Sequence, residues 1–247
     1  WPLMVADRVY TETAQRARAA LAGVQSAPGV AKPDPILLAD NVRKNFGGVV
    51  AVDVDHVEVQ RGSITALIGP NGAGKTTLFN LLTGFDTPDA GEWRFDGRSL
   101  AKVVAHKTAS MGMVRTFQLT KSLTKMSVIE NMKLGATHQV GERWWNGLLP
   151  FRWKAQEKLI EQRADQLLQR FKLDHMRNEY AGTLSGGQRK LLEMSRALMT
   201  NPRLVMLDEP MAGVNPALKQ SLNEHIRGLR DDGMTVLFVE HDMDMVH

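Results

Sequence analysis

Four stretches hold side chains whose types and spacing could do chemistry. The first runs from Gly69 to Thr77, Gly-Pro-Asn-Gly-Ala-Gly-Lys-Thr-Thr, and fits the pattern G-x-x-x-x-G-K-[ST] at Gly69, Gly74, Lys75 and Thr76. Glycines let successive backbone N–H groups converge on phosphate oxygens, and a helix starting there adds a partial positive charge. Lys75 is a point charge that can reach β- and γ-phosphates, and the Thr76 hydroxyl can complete the coordination of a magnesium ion bridging them. Gly69, Asn71, Gly72 and Gly74, with Lys75, Thr76 and Thr77 at the helix start, are the predicted nucleotide-binding stretch.

The second stretch, Leu184-Ser185-Gly186-Gly187-Gln188, leads into an amphipathic run from Arg189 to Thr200. A serine and two glycines at a helix start make another anion-binding terminus. One domain has no obvious need for two such ends unless the second serves another subunit's nucleotide, which two chains packed head-to-tail would satisfy. The third, Arg203-Leu204-Val205-Met206-Leu207-Asp208-Glu209-Pro210, reads as a buried strand delivering two carboxylates at its C-terminal end, where open α/β sheets hold ligands. Asp208 is placed to hold magnesium, directly or through water, and Glu209 to polarise a water for in-line attack on a γ-phosphate. The fourth follows the apolar run Thr235 to Val239 with Glu240-His241-Asp242, where His241 could bond a phosphate oxygen. A lone aromatic, Phe46, precedes the turn Gly47-Gly48; stacking on a base and plugging the core both remain open for it.

The elements that must position these groups are visible as periodicity. Ile64 to Ile68 reads as the strand entering the first loop and Thr76 to Thr83 as the helix leaving it. Ile36 to Val42 and Val50 to Val59 read as antiparallel strands, Glu92 to Phe95 and Met113 to Phe117 as further extended segments, and Pro216 to Arg230 as a helix. Residues 119 to 183 have helical character, with Val128 to Leu134 and a longer run from Lys154 to Phe171 that puts Leu159, Ile160, Leu167 and Leu168 on one stripe. Trp144, Trp145, Leu148, Leu149, Phe151 and Trp153 stand there beside Arg143, Arg152 and Lys154, a composition that suits either a docking surface for a membrane partner or the packing of a helical hairpin. Residues 1 to 35 divide into a helix-prone stretch and a proline-rich linker from Ser26 to Pro35.

Composition narrows the class. No run of about 18 apolar residues occurs and no secretory leader is visible, so a cytosolic chain is expected. Cysteine is absent, which removes disulfides and thiolate metal sites. The net charge of +4 is mild and compatible with an anionic ligand or a membrane surface.

Together these motifs resemble the nucleotide-binding subunit of an ATP-binding cassette (ABC) transporter over residues 36 to 247. The resemblance implies an α/β fold: a P-loop NTPase (RecA-like) core with a mixed sheet, an antiparallel β subdomain and a helical subdomain inserted at about 119–183. It implies that Phe46 stacks on adenine, that Gln118 touches magnesium and the membrane partner, that Ser185 and Gly187, with Gln188, meet the γ-phosphate across a dimer, and that His241 is the switch histidine. ATP and Mg2+ are the implied cofactors. The implied partners are transmembrane permease subunits, a second ATPase subunit, identical or paralogous, and indirectly a periplasmic or extracellular solute-binding protein, with no nucleic acid; the implied location is the cytoplasmic face of the plasma (inner) membrane. Val114-Arg115-Thr116-Phe117-Gln118, Val128-Ile129-Glu130-Asn131 and Leu81-Leu82-Thr83-Gly84-Phe85 further resemble ATPases of branched-chain amino acid importers. Lipid or lipopolysaccharide transport and a soluble non-transport ABC ATPase are the alternatives. Two departures stand out: Asn215 replaces a frequent aspartate, and the chain stops at His247, so a truncated C-terminal end is expected and residues 1–35 are read as an extension or linker.

Overall fold

The computed structural model describes residues 34–70, 72–116, 124–136 and 150–240, with the backbone alone for 150–155. The chain opens with β1 (Pro35–Phe46) and β2 (Val49–Gln60), an antiparallel hairpin in which Leu38 faces Glu58 and Val42 faces Val54. On these strands Leu37, Ala39, Val52, Val54 and Val59 are buried while most alternate residues meet water, the period-two pattern of a sheet packed on one side. β4 (Ala90–Phe95) pairs antiparallel with β1, and β5 (Arg98–Ser99) completes the order β2-β1-β4-β5.

The second sheet is parallel, in the order β3-β8-β7-β6, built from β3 (Ile64–Ile68), β6 (Met113–Arg115), β7 (Leu204–Asp208) and β8 (Thr235–Glu240). β7 and β8 are apolar almost throughout because both faces are covered. Alternation then sorts their side chains into two cores. Val205, Leu207, Val236 and Phe238 join a helical core, whereas Leu204, Met206, Leu237 and Val239 join a core shared with the antiparallel sheet.

The second core also takes Leu78, Phe79, Leu81 and Leu82 of α1 (Lys75–Leu82). The helical core is lined by α3 (Val128–Leu134), α4 (Pro150–Arg170), α5 (Gly186–Ala197) and α6 (Pro216–Asp231); the short α2 (Ala105–Ser110) precedes β6. α3 starts at a capping box, Ser127 with Glu130, and α6 at an Asn215 cap with Pro216 in its first turn.

Two expectations are corrected. The long helix begins at Pro150 rather than Lys154, since proline suits a first helical turn. Leu159 is 65% exposed and leaves the buried stripe, which continues instead through Ala164, Leu167, Leu168 and Phe171. No helix among the described residues is long and apolar enough to cross a membrane. The tryptophan-rich stretch around Trp144 and residues 1–33 lie outside the described residues.

Parallel register brings the C-terminal ends of three strands to one edge. Ile68 lies beside Glu240, and Asp208 beside Val239. The predicted phosphate loop and carboxylate pair therefore leave the same end of the sheet, with β8 between their strands.

Candidate functional site

The loop after β3 takes the conformations that its glycines predict. Gly72 and Gly74 have φ of +81° and +80°, in the left-handed region that glycine tolerates best. A Cβ added at Gly72 would meet nothing within 4 Å, so the loop opens onto space. Gly74 caps α1 without a side-chain hydrogen bond, and no acidic residue stands in the first turn. The N-terminal N–H groups of Lys75, Thr76 and Thr77 thus form an end suited to an anion. Thr76 is exposed there and Thr77 half-buried.

Lys75 is buried, and its Nζ donates to the carbonyls of Gly69 (2.5 Å) and Pro70 (2.9 Å). Desolvation lowers its pKa, opposed by the charges of Glu209, Asp208 and Glu240. A cation partly stripped of water, set in an open loop and faced by carboxylates, fits a magnesium–triphosphate group.

The carboxylate end is held by an arginine. Asp208 Oδ2 lies 2.5 Å from Arg115 Nη2, and the two side chains are 15% and 6% exposed. Arg115 Nη1 also donates to Asn80 Oδ1 of α1 at 2.5 Å, and its guanidinium lies 5.5 Å from the Phe79 ring centroid. One planar fork therefore ties β6, β7 and the loop helix together. Thr76 and Asp208 supply oxygen donors, the ligand type that magnesium prefers.

Glu209 has a φ of +47°, unusual for a residue with a side chain. The turn is fixed from several sides: its N–H donates to Val239 O (3.1 Å), while its carbonyl accepts from Ala212 N (3.1 Å) and Lys190 Nζ (3.0 Å). Backbone strain held by surrounding contacts is common where a side chain must be aimed. Behind it, buried Glu240 accepts from Met211 N at 2.9 Å. Glu193 of α5 is also buried, and desolvation pushes its carboxyl up to about 7 against the charges of Lys190 and Arg196.

At the start of α5, Ser185 and Gln188 cap each other: Gln188 N donates to Ser185 Oγ (3.2 Å), and Ser185 N to Gln188 Oε1 (2.9 Å). The serine acts there as acceptor, so its hydroxyl hydrogen remains available to a ligand. A Cβ added at Gly187 would fall 2.0 Å from Leu218 Cδ2 at the start of α6, while one at Gly186 would meet nothing. Close helix approach is thus a reason for glycine at 187 beyond the predicted phosphate contact.

Phe46 is 49% exposed at the tip of the β1–β2 hairpin, which overturns the core-plug alternative and leaves a ring face for stacking. Asn71, Gln118 and His241 lie outside the described residues.

A family model described as ABC transporter matches residues 52–212. The chain is 42% identical over 211 residues to a probable branched-chain amino acid transport ATP-binding protein LivG of Archaeoglobus fulgidus, covering 85% of this chain and 81% of that protein. The chain belongs to the ABC transporter family of ATP-binding subunits. A high-affinity branched-chain amino acid transport ATP-binding protein, BraF of Pseudomonas aeruginosa, is 39% identical, covering 86% of this chain and 84% of the relative. Among solved structures, a nucleotide-free ATP-binding cassette from an ABC transporter superposes with a TM-score of 0.75 at 39% identity, covering 86% of this chain and 83% of that one. The ADP conformation of an ATP-binding cassette gives 0.73 at 38% identity, with the same coverage. This ABC subunit accordingly binds nucleotide and hydrolyses ATP, and ABC ATPases work with transmembrane permease subunits.

Sequence reasoning gave no role to Arg115, Asn80 or Lys190 in this ABC site. The signal available for Arg115 was a lone cation inside an apolar segment ending at Gln118.

Proposed function

We propose that this ABC ATPase powers a branched-chain amino acid importer. Identity near 40% over more than four-fifths of the chain, to archaeal and bacterial branched-chain amino acid transport ATP-binding proteins alike, carries this reading. Two copies, or one copy and a paralogue, sandwich ATP between the cradle of one and the Ser185, Gly187 and Gln188 helix start of the other. Phe46 stacks on the adenine; Gly69, Asn71, Gly72, Gly74, Lys75, Thr76 and Thr77 hold the phosphates. Thr76, Asp208 and Gln118 would hold Mg2+, which would neutralise charge on the phosphate oxygens. Glu209 takes a proton from the attacking water, and His241 bonds a phosphate oxygen. Loss of the bridging γ-phosphate removes charge-assisted hydrogen bonds from the interface, which then opens. The segment around Gln118 passes that motion to a permease at the cytoplasmic face of the membrane, where a solute-binding protein delivers cargo from the other side. Units 36–247 and, within them, 119–183 are the proposed ATPase domain and helical insertion.

The test is a gentle-detergent purification of the tagged full-length protein from its own cells, with mass spectrometry and transport assays on the complex. A polytopic permease that moves leucine, isoleucine or valine is expected. Recovery of a lipid-transport permease, or of ribosomal or DNA-repair proteins without a membrane partner, would overturn the importer reading.

A further inference from the structure

The tip of the β1–β2 hairpin is not held by strand pairing alone. Pairing of β1 with β4 shifts between Asp40 and Arg43, and pairing with β2 shifts between Lys44 and Asn45. Beyond the pairing of Asn45 with Val50 and Phe46 with Val49, the turn after α1 also holds the tip. Asp89 Oδ2 accepts from Asn45 N at 2.7 Å, and Asp89 N donates to Arg43 O at 2.9 Å. Lys44, whose side chain is only 13% exposed, donates from Nζ to Thr87 O at 2.7 Å and lies 3.4 Å from both Asp86 Oδ1 and Asp89 Oδ1. The same Nζ stands 5.1 Å from the centroid of the Phe46 ring. The turn itself is anchored on α1, since Phe85 N and Asp86 N donate to Asn80 O at 2.9 and 3.2 Å. A continuous path thus runs from the phosphate-loop helix, through residues 85–89, to the exposed aromatic ring.

We propose that Lys44 and Asp89 are positioning residues for the nucleotide base: they set the distance between Phe46 and the phosphate cradle and reserve one ring face for Lys44, so that the base takes the other. The inference rests on the reading of Phe46 as the base platform. A cation on one face of an aromatic ring is attracted by its quadrupole, and a purine can stack on the face left open. The caged ammonium keeps its place because two carboxylates and a carbonyl surround it. Asp89, ionised at neutral pH like any aspartate, has its pKa lowered further, first by the Asn45 N–H.

Competition against a fluorescent ATP analogue, with ATP and with inorganic tripolyphosphate as competitors, separates base from phosphate binding. Lys44→Met and Asp89→Ala are expected to weaken ATP by about 3- to 10-fold each, the scale of a partly desolvated cation–π contact or charge-assisted hydrogen bond. Tripolyphosphate affinity should stay within about twofold, and kcat likewise, with the loss appearing in KM. The double variant should lose no more than the worse single, because the residues act through one cage. Lys44→Arg, which keeps the cation, should stay near wild type and serves if Lys44→Met fails to fold. Equal weakening of ATP and tripolyphosphate would overturn the proposal. So would unchanged ATP affinity in both variants, and Phe46→Ala then separates the causes. If Phe46→Ala weakens ATP selectively, the platform stands and only the bracing falls; if it does not, the platform falls too.

Discussion

Replacing Glu209 with glutamine is expected to lower ATP hydrolysis by about 10²- to 10⁴-fold, the range supplied by a positioned general base, while ATP affinity stays within about twofold. Glutamine keeps the shape of the side chain and can occupy the same backbone turn, which is fixed by Val239, Ala212 and Lys190 rather than by the carboxylate. What it loses is the carboxylate proposed to accept the proton of the attacking water. Steady-state phosphate release and equilibrium ATP binding, measured on the same preparation, check both halves. Undiminished hydrolysis would reject the role proposed for this residue.

Removing Lys75 is expected to act at the earlier step. Lys75→Ala should weaken ATP by at least about 10-fold, since a hydrogen bond to a charged group contributes roughly 1.5–3 kcal/mol, and hydrolysis at moderate ATP should fall with it. The ammonium sits buried against the Gly69 and Pro70 carbonyls, so its removal also frees the loop that presents the backbone N–H groups. Titration calorimetry with ATP checks the first effect. Wild-type affinity in this variant would contradict the cradle assignment. The two variants are distinguishable, because one retains ATP and the other does not.

Much of this was legible because the informative features are local. The glycine pattern at 69–74 specifies a loop with glycine at 72 and 74, where positive φ requires it, and the apolar run Leu204 to Leu207 specifies a strand buried on both faces. Helices expected from period at Val128 to Leu134 and Pro216 to Arg230 are found at Val128–Leu134 and Pro216–Asp231, and the structure adds their caps, Ser127 and Asn215. What the sequence did not disclose depends on residues far apart in the chain. Arg115 meets Asp208, 93 positions away, and Asn80, 35 away, and no spacing rule connects them. Phe46 was ambiguous because an aromatic beside a glycine turn can face either way, and only its tertiary surroundings decide. Leu159 was misplaced for a simpler reason: it is one helical step from Ile160, so it falls at the stripe's edge, where solvent reaches it. Gly187 was read for its phosphate contact alone, since nothing local signals that Leu218 will approach it.

In the proposed mechanism the ATP site is completed by a second subunit. Sedimentation velocity of the Glu209→Gln protein, with Mg2+ and saturating ATP in one cell and saturating ADP in another, tests this most directly. A dimer in ATP and a monomer in ADP is the predicted result. A monomer with ATP demonstrably bound would contradict the shared site.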